Sequence, residues 1–191
     1  MHCVKSALTI EETIKKSLFI SVLAPCASFT AAHDKLEQLH QQYADASHIV
    51  YAYRFKTNKG LVCRFHDDGE PSGTAGRPVY QYLEGKNLIN LLLAVVRYFG
   101  GVKLGAGGLA RAYGNAAKAV IDAAELYKYI EYKYLQLMLD YKQLQSFEYQ
   151  LKKLEGEIIE QVFSDKINQT IRLPIDRVAQ LQPLLQKPAS R

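Results

Sequence analysis

The sequence has no apolar run near the ~20 residues that a membrane-spanning helix requires. The longest, around Leu88 to Val96, falls far short, and the first residues alternate Lys with polar groups where a signal peptide would build an apolar core. Cysteine is also scarce. Cys3, Cys26 and Cys63 are odd in number, widely spaced and without a CxxC or histidine partner pattern, which argues against a disulfide framework and against zinc. These absences imply a cytoplasmic, reducing location, with no membrane partner, no metal and no cofactor. A more local absence concerns charge. From Gly85 to Ile121 there is no Asp or Glu, while Lys86, Arg97, Lys103, Arg111 and Lys118 stand in the same window. Those five bases equal the formal net charge of +5 of the whole chain, and with a pI near 9.0 they suggest a basic face and a polyanionic partner.

What is present is enough for one good core or two modest ones: 191 residues, 48% hydrophobic and 23% charged. Residues 1 to 14 read as an irregular lead-in. KKSLFISVLAPC reads as a largely buried strand stopped by Pro25, and Ser28 or Thr30 can cap a helix through Tyr43 with Ala32, Leu36 and Leu39 on its buried side. His48–Phe55 and Leu61–His66 alternate as strands, and the KTNKG between them supplies hairpin turn chemistry. PVYQYLEG makes a short helix. Leu88–Phe99 is apolar on both faces, as a central strand is, and carries Arg97 to its end. A helix from about Gly107 to Glu125 follows, with Leu109, Tyr113, Ala116, Val120 and Ala124 buried and Arg111, Asn115, Lys118 and Asp122 opposite. After Leu126 the composition changes to tyrosine-rich, and the pattern to Gln186 reads βαββα, with the chain ending at Pro188-Ala189-Ser190-Arg191 where a split βαβ sandwich would add a strand.

Most of the chain's 12 glycines fall in two runs, DDGEPSGTAGRP and RYFGGVKLGAGGLARAYG, which read as a loop-built site. The second run opens a helix, and a helix start has unpaired N–H groups and a partial positive charge that favour an anion. First turns prefer Asp or Glu, yet here Lys103 precedes the helix and Arg111 lies in it. Neither the P-loop pattern GxxxxGK[ST] nor a strict GxGxxG is present, so the anion site rests on the charges and the helix start. The first run offers Asp67, Asp68 and Glu70, then Ser72, Thr74 and Arg77. Its three carboxylates could hold Mg²⁺ or serve as acid and base, but a capping and pairing role fits better, because no nucleophile–base–orienter constellation accompanies them. His48 and His66, each at a strand end, read as hydrogen-bonded structural groups. No catalytic residue is assigned.

DDGEPSGTAGRP followed by VVRYFGGVKLGAGGLARAYG resembles the signature of the YigZ/IMPACT family, and KKSLFI and ASHIVYAYRF resemble its first strand and its histidine-containing strand. Leu18 stands where that family usually has Arg. The resemblance covers nearly the whole chain and implies an α+β fold of two domains. The first, residues 1–126, would be like the second domain of ribosomal protein S-five and domain four of elongation factor G. The second, residues 127–191, would be ferredoxin-like, as is domain five of that factor. The eukaryotic members regulate translation by competing for the activator of an eIF-two-alpha kinase and carry an extra RWD domain, for which the sequence leaves no room before Leu8. Kinship with translation factors is a fold-level analogy that suggests RNA or ribosome binding.

The leading expectation is a non-enzymatic RNA- or ribosome-binding protein with a regulatory role in translation. Candidate phosphate or nucleic-acid contacts are Ser72, Thr74, Arg77, Arg97, Lys103, Gly105, Gly107, Gly108, Arg111 and Lys118, with Asp67, Asp68 and Glu70 as an acidic cluster. The alternatives are an enzyme acting on a nucleotide or phosphorylated small molecule, and a protein-interaction module. Two geometric expectations follow. The glycine runs should share one concavity, and a domain boundary should fall near Glu125–Tyr129.

Overall fold

The computed structural model describes residues 1–185. The chain divides into two compact units, Met1–Tyr129 and Ile130 onward. In the first unit, strands β1 (His2–Val4), β2 (Leu8–Ile14), β3 (Ser17–Pro25), β4 (His48–Thr57), β5 (Gly60–His66), β6 (Leu91–Tyr98) and β7 (Leu126–Lys128) alternate with helices α1 (Phe29–Gln42), α2 (Gly76–Gly85) and α3 (Ala106–Ala123). The lead-in expected to be irregular is instead two strands. β2 forms a hairpin with β3, and β1 pairs with β7. The sequence offers little sign of β2, because LTIEETI leaves most of an edge strand exposed. The β1–β7 pairing ties Leu126–Lys128 to residues from the chain's other end, within the first unit.

The main sheet has the order β2-β3-β6-β4-β5, antiparallel throughout. β6 is central and buried on both faces up to Arg97, which is why its sequence reads as a continuous apolar run. Its residues alternate between two cores. Leu91, Leu93 and Val95 join Phe19, Leu23, Val50 and Ala52 against α2 and α3, whereas Leu92, Ala94 and Val96 join Ile20, Val22, Ile49 and Tyr53 on the α1 side. Ser28 caps α1 by accepting from the Ala31 amide at 3.2 Å. Ser21 Oγ donates to the Ala116 carbonyl at 3.0 Å, fastening α3 to the sheet.

The second unit has a three-stranded antiparallel sheet, β8 (Tyr132–Leu139), β10 (Ile167–Pro174) and β9 (Glu157–Phe163) in that order. Helices α4 (Tyr141–Lys153) and α5 (Val178–Leu185), the latter preceded by a 3₁₀ turn, complete the βαββα succession. Phe147, Leu151 and Leu181 from the helices close over Leu139, Ile167, Ile171 and Leu173. A capping box, with Gln143 accepting from the Asp140 amide at 3.0 Å, starts α4. Gln186 and the Pro188–Arg191 end of the chain, where a split βαβ sandwich would add its last strand, lie outside the described residues. Among the described residues no helix is long and apolar enough to cross a membrane.

Candidate functional site

The register of the central strands brings the site together. In β4 and β6 His48 lies opposite Arg97, and in β3 and β6 Phe19 lies opposite Arg97. Directly paired residues share a face, so Phe19, Arg97 and His48 form a row across the end of the sheet on the α3 side. The first glycine run, entering from β5, lowers Glu70 onto this row, and α3 supplies Tyr113. Glu70 is 8% exposed and Arg97 4%. Glu70 Oε1 accepts from Arg97 Nη1 at 2.5 Å and from the Tyr113 hydroxyl at 2.8 Å. Arg97 Nη2 donates to Ser17 Oγ at 3.3 Å, and its guanidinium sits 5.5 Å from the ring centres of both Phe19 and Phe99. Burial and then the Glu70 charge push the Tyr113 phenol far above its ordinary range, so it stays a hydrogen-bond donor.

His48 Nδ1 lies 2.7 Å from the Asp68 carbonyl oxygen. A carbonyl only accepts, so Nδ1 carries a hydrogen, and in the neutral ring Nε2 is then the acceptor. Nε2 stands 3.9 Å from Glu70 Oε1, beyond hydrogen-bond distance. The other carboxylates of the run point elsewhere. Asp68 Oδ2 accepts from the Ile49 amide at 2.6 Å. Asp67 accepts from the amides of Gly73, Ala75 and Gly76 at 2.9, 3.1 and 2.8 Å, closing the loop at the start of α2. Burial works to raise the Asp67 carboxyl, but the three amides outweigh it and hold it below its ordinary value. The three carboxylates therefore do not converge on one point, and each is used in the fold.

The second run behaves differently. Gly100 packs where no side chain fits, since a Cβ there would lie 1.9 Å from the Lys16 carbonyl oxygen. Gly105 is the N-cap of α3 with φ 71°, a left-handed conformation that favours glycine and provides no side-chain cap. The first-turn amides of α3 thus lack the usual Ser, Asp or Thr acceptor. Among the described residues neither Lys103 nor Arg111 has an ion-pair partner; Arg111 Nε donates only to the Gly107 carbonyl, at 3.3 Å.

The two runs meet at a cavity of about 290 Å³ lined by His48, Glu70, Pro71, Arg97, Phe99, Lys103, Leu104, Gly105, Ala106 and Leu109. Of the residues singled out from sequence, Glu70, Arg97, Lys103 and Gly105 lie here. Gly108 and Arg111 line a neighbouring concavity of about 240 Å³ with Ile14, Lys15 and Asn115, and Leu104 lines both. Gly107 is exposed in the first turn of α3, and Ser72 and Arg77 are exposed outside either lining. Thr74 donates its hydroxyl to the Pro71 carbonyl at 2.6 Å. Two expectations are corrected. Arg97 does not face outward to a phosphate, because its charge is neutralised in the fold by Glu70. Lys118 pairs with Asp122 at 2.7 Å and lies some 20 Å along α3 from Gly105 at the usual rise, away from the cavity. Phe99 lines the cavity without having been singled out from sequence, while His48 and Tyr113 join the site although the sequence reads them only as a structural and a buried group. The available signal was that an antiparallel β4 beside β6 sets the strand-start His48 against the strand-end Arg97.

A two-unit α+β chain whose first unit builds a glycine-loop cavity on an antiparallel sheet is the class defined so far. Residues 15–121 match the model of the Impact N-terminal domain, and residues 137–187 match a domain of unknown function, DUF1949. The chain belongs to the IMPACT family. It is 38% identical over 165 residues to an IMPACT family member of Haemophilus influenzae, covering 86% of this chain and 80% of that one. It is 32% identical over 179 residues to YigZ of Escherichia coli K12, covering 93% and 88%. A solved structure described only as a hypothetical protein superposes with a TM-score of 0.69 at 31% identity, covering 95% of this chain and 89% of that one.

Proposed function

We propose that this protein is a translation-associated RNA- or ribosome-binding protein that takes hold of phosphate through the second glycine run, with Lys103 and the first turn of α3 as the main contact and Arg111 as a flanking one. The observation that carries this reading is the unequal use of charge around the cavity. Asp67, Asp68 and Glu70 are each taken up by internal partners, while Lys103 and Arg111 face solvent beside an acid-free helix start. An external anion supplies the missing counter-charge. The link to translation comes from the family resemblance. Ser72, Thr74, Arg77, Gly107 and Gly108 stay secondary candidates, since they border the loops without lining the main cavity. The concavity itself supports a second reading, an enzyme acting on a nucleotide or phosphorylated small molecule, with Nε2 of the neutral His48 ring as the available base.

Ribosome co-sedimentation across a salt series tests the reading. Lys103→Glu with Arg111→Glu is expected to weaken association far more than Lys152→Glu with Lys153→Glu on α4. The slope of log affinity against log salt should become shallower by roughly one for each phosphate that the variant no longer neutralises. Equal weakening in the two double variants would reduce the effect to general basicity, and no association at low salt would refute the reading.

A further inference from the structure

The cavity between the two runs offers more than an anion contact. Its walls include Pro71, Phe99, Leu104 and Leu109, so most of its surface suits an apolar or planar body. Phe99 is 48% exposed and presents ring surface there, steadied by the Arg97 guanidinium. Arg97 lines the cavity but is 4% exposed, and its guanidinium is held within the fold by Glu70 and Ser17. His48, opposite Arg97 in the β4–β6 register, has Nδ1 on the Asp68 carbonyl, so its neutral ring presents Nε2 as an acceptor. Lys103 and the uncapped start of α3 complete the lining with positive charge.

We propose that this cavity binds one unpaired nucleotide, the base against Phe99 with its edge toward His48 Nε2, and the phosphate toward Lys103 and the α3 amides. The proposal rests on the RNA reading and specifies it. Every nucleobase carries a donor on its pairing edge, which matches the acceptor that the neutral His48 ring presents here. Unpaired bases in RNA are recognised by aromatic stacking with edge hydrogen bonds. A volume of about 290 Å³ is at the low end for ligand sites, which suits a single base better than a larger cofactor. The same chemistry is offered by a free nucleoside monophosphate and by one residue of a single-stranded RNA.

The experiment is a titration of the full ¹⁵N-labelled chain, followed by amide shifts, with inorganic phosphate, 5′-AMP, 5′-UMP and the trinucleotides of A and U. Shifts at Gly105, Ala106 and His48 with either mononucleotide, at lower concentration than with phosphate, are expected. Trinucleotides binding tighter than the mononucleotides would assign the site to RNA, and equal affinity would assign it to a free nucleotide. Phe99→Ala should weaken nucleotide binding about tenfold while leaving phosphate binding unchanged, since base–aromatic stacking is sequence-tolerant and separable from the anion contact. His48→Gln, which keeps an acceptor, should retain more affinity than His48→Leu; an unchanged melting temperature in each variant excludes misfolding. Phosphate binding as well as 5′-AMP with no effect of Phe99→Ala, or no shifts with any nucleotide, would overturn the proposal. That failure is separable from failure of the RNA reading: ribosome association abolished in the Lys103/Arg111 variant without any mononucleotide binding removes only the cavity claim. Mononucleotide binding without ribosome association would keep the cavity and favour the enzyme reading.

Discussion

The two glycine-rich runs border the same cavity, yet they use their charged residues in opposite ways. In the first run the carboxylates are structural: Asp67 ties the loop to the start of α2, Asp68 holds the start of β4, and Glu70 is buried against Arg97 and Tyr113. In the second run the backbone is structural and the charges beyond Arg97 are left over. Gly100 sits on the Lys16 carbonyl and Gly105 turns the chain into α3, while Lys103 and Arg111 stay at the surface. Charge composition therefore identified a basic stretch, but which charges are available was decided by burial and partners.

That contrast can be broken most forcefully at Glu70. Glu70→Ala leaves the buried Arg97 guanidinium without its counter-charge and is expected to cost about 3–5 kcal/mol, read as a lowered urea midpoint. Lys103→Ala should stay within about 0.5 kcal/mol of wild type. Similar costs at the two sites would mean that the runs do not differ in kind. At Gly100 the second run's own structural role is exposed. Gly100→Ala drives a Cβ into the Lys16 backbone and should destabilise by about 1–3 kcal/mol, checked by thermal melting.

Asp67 sharpens the comparison through pH. Its carboxyl is held below its ordinary value in the fold, so its contribution is fully present above the ordinary carboxylate range and is lost as pH falls through the lowered folded value. Asp67→Asn replaces a charged acceptor of three amides by a neutral one and should cost about 1 kcal/mol at neutral pH, a deficit against wild type that should shrink on acidification. A deficit that stays constant down to acid pH would contradict the role given to the charge. The smallest effect belongs to Gly107, whose added Cβ would meet nothing within 4 Å. Gly107→Ala in the first turn of α3 is expected to stabilise by up to about 1 kcal/mol through backbone entropy, a small rise in melting temperature.

The elements were readable wherever each segment's burial shows in its own pattern. β3, the β4–β5 hairpin, α1 from Ser28, the doubly buried β6 and the βαββα succession of the second unit all carry such a pattern. β1 and β2 carry only weak ones, because one is very short and the other is an edge strand in which Leu8, Ile10 and Ile14 are only half buried. Within the site, the basic and acid-free start of α3 was legible, since a helix start and its neighbouring charges lie together in the chain. The assignment of Arg97 to an outward phosphate contact was not corrected by any local signal. Its partner Glu70 is 27 positions away, and Tyr113 is farther still from that carboxylate.

Sequence alone thus determined what each segment buries and where positive charge gathers, because periodicity and composition act over a few neighbouring residues. Only the tertiary structure decided which charges cancel. Pairing His48 with Arg97 across β4 and β6, and folding Glu70 over both, depends on strand register and loop path, and these are set by long-range packing of the sheet against α2 and α3.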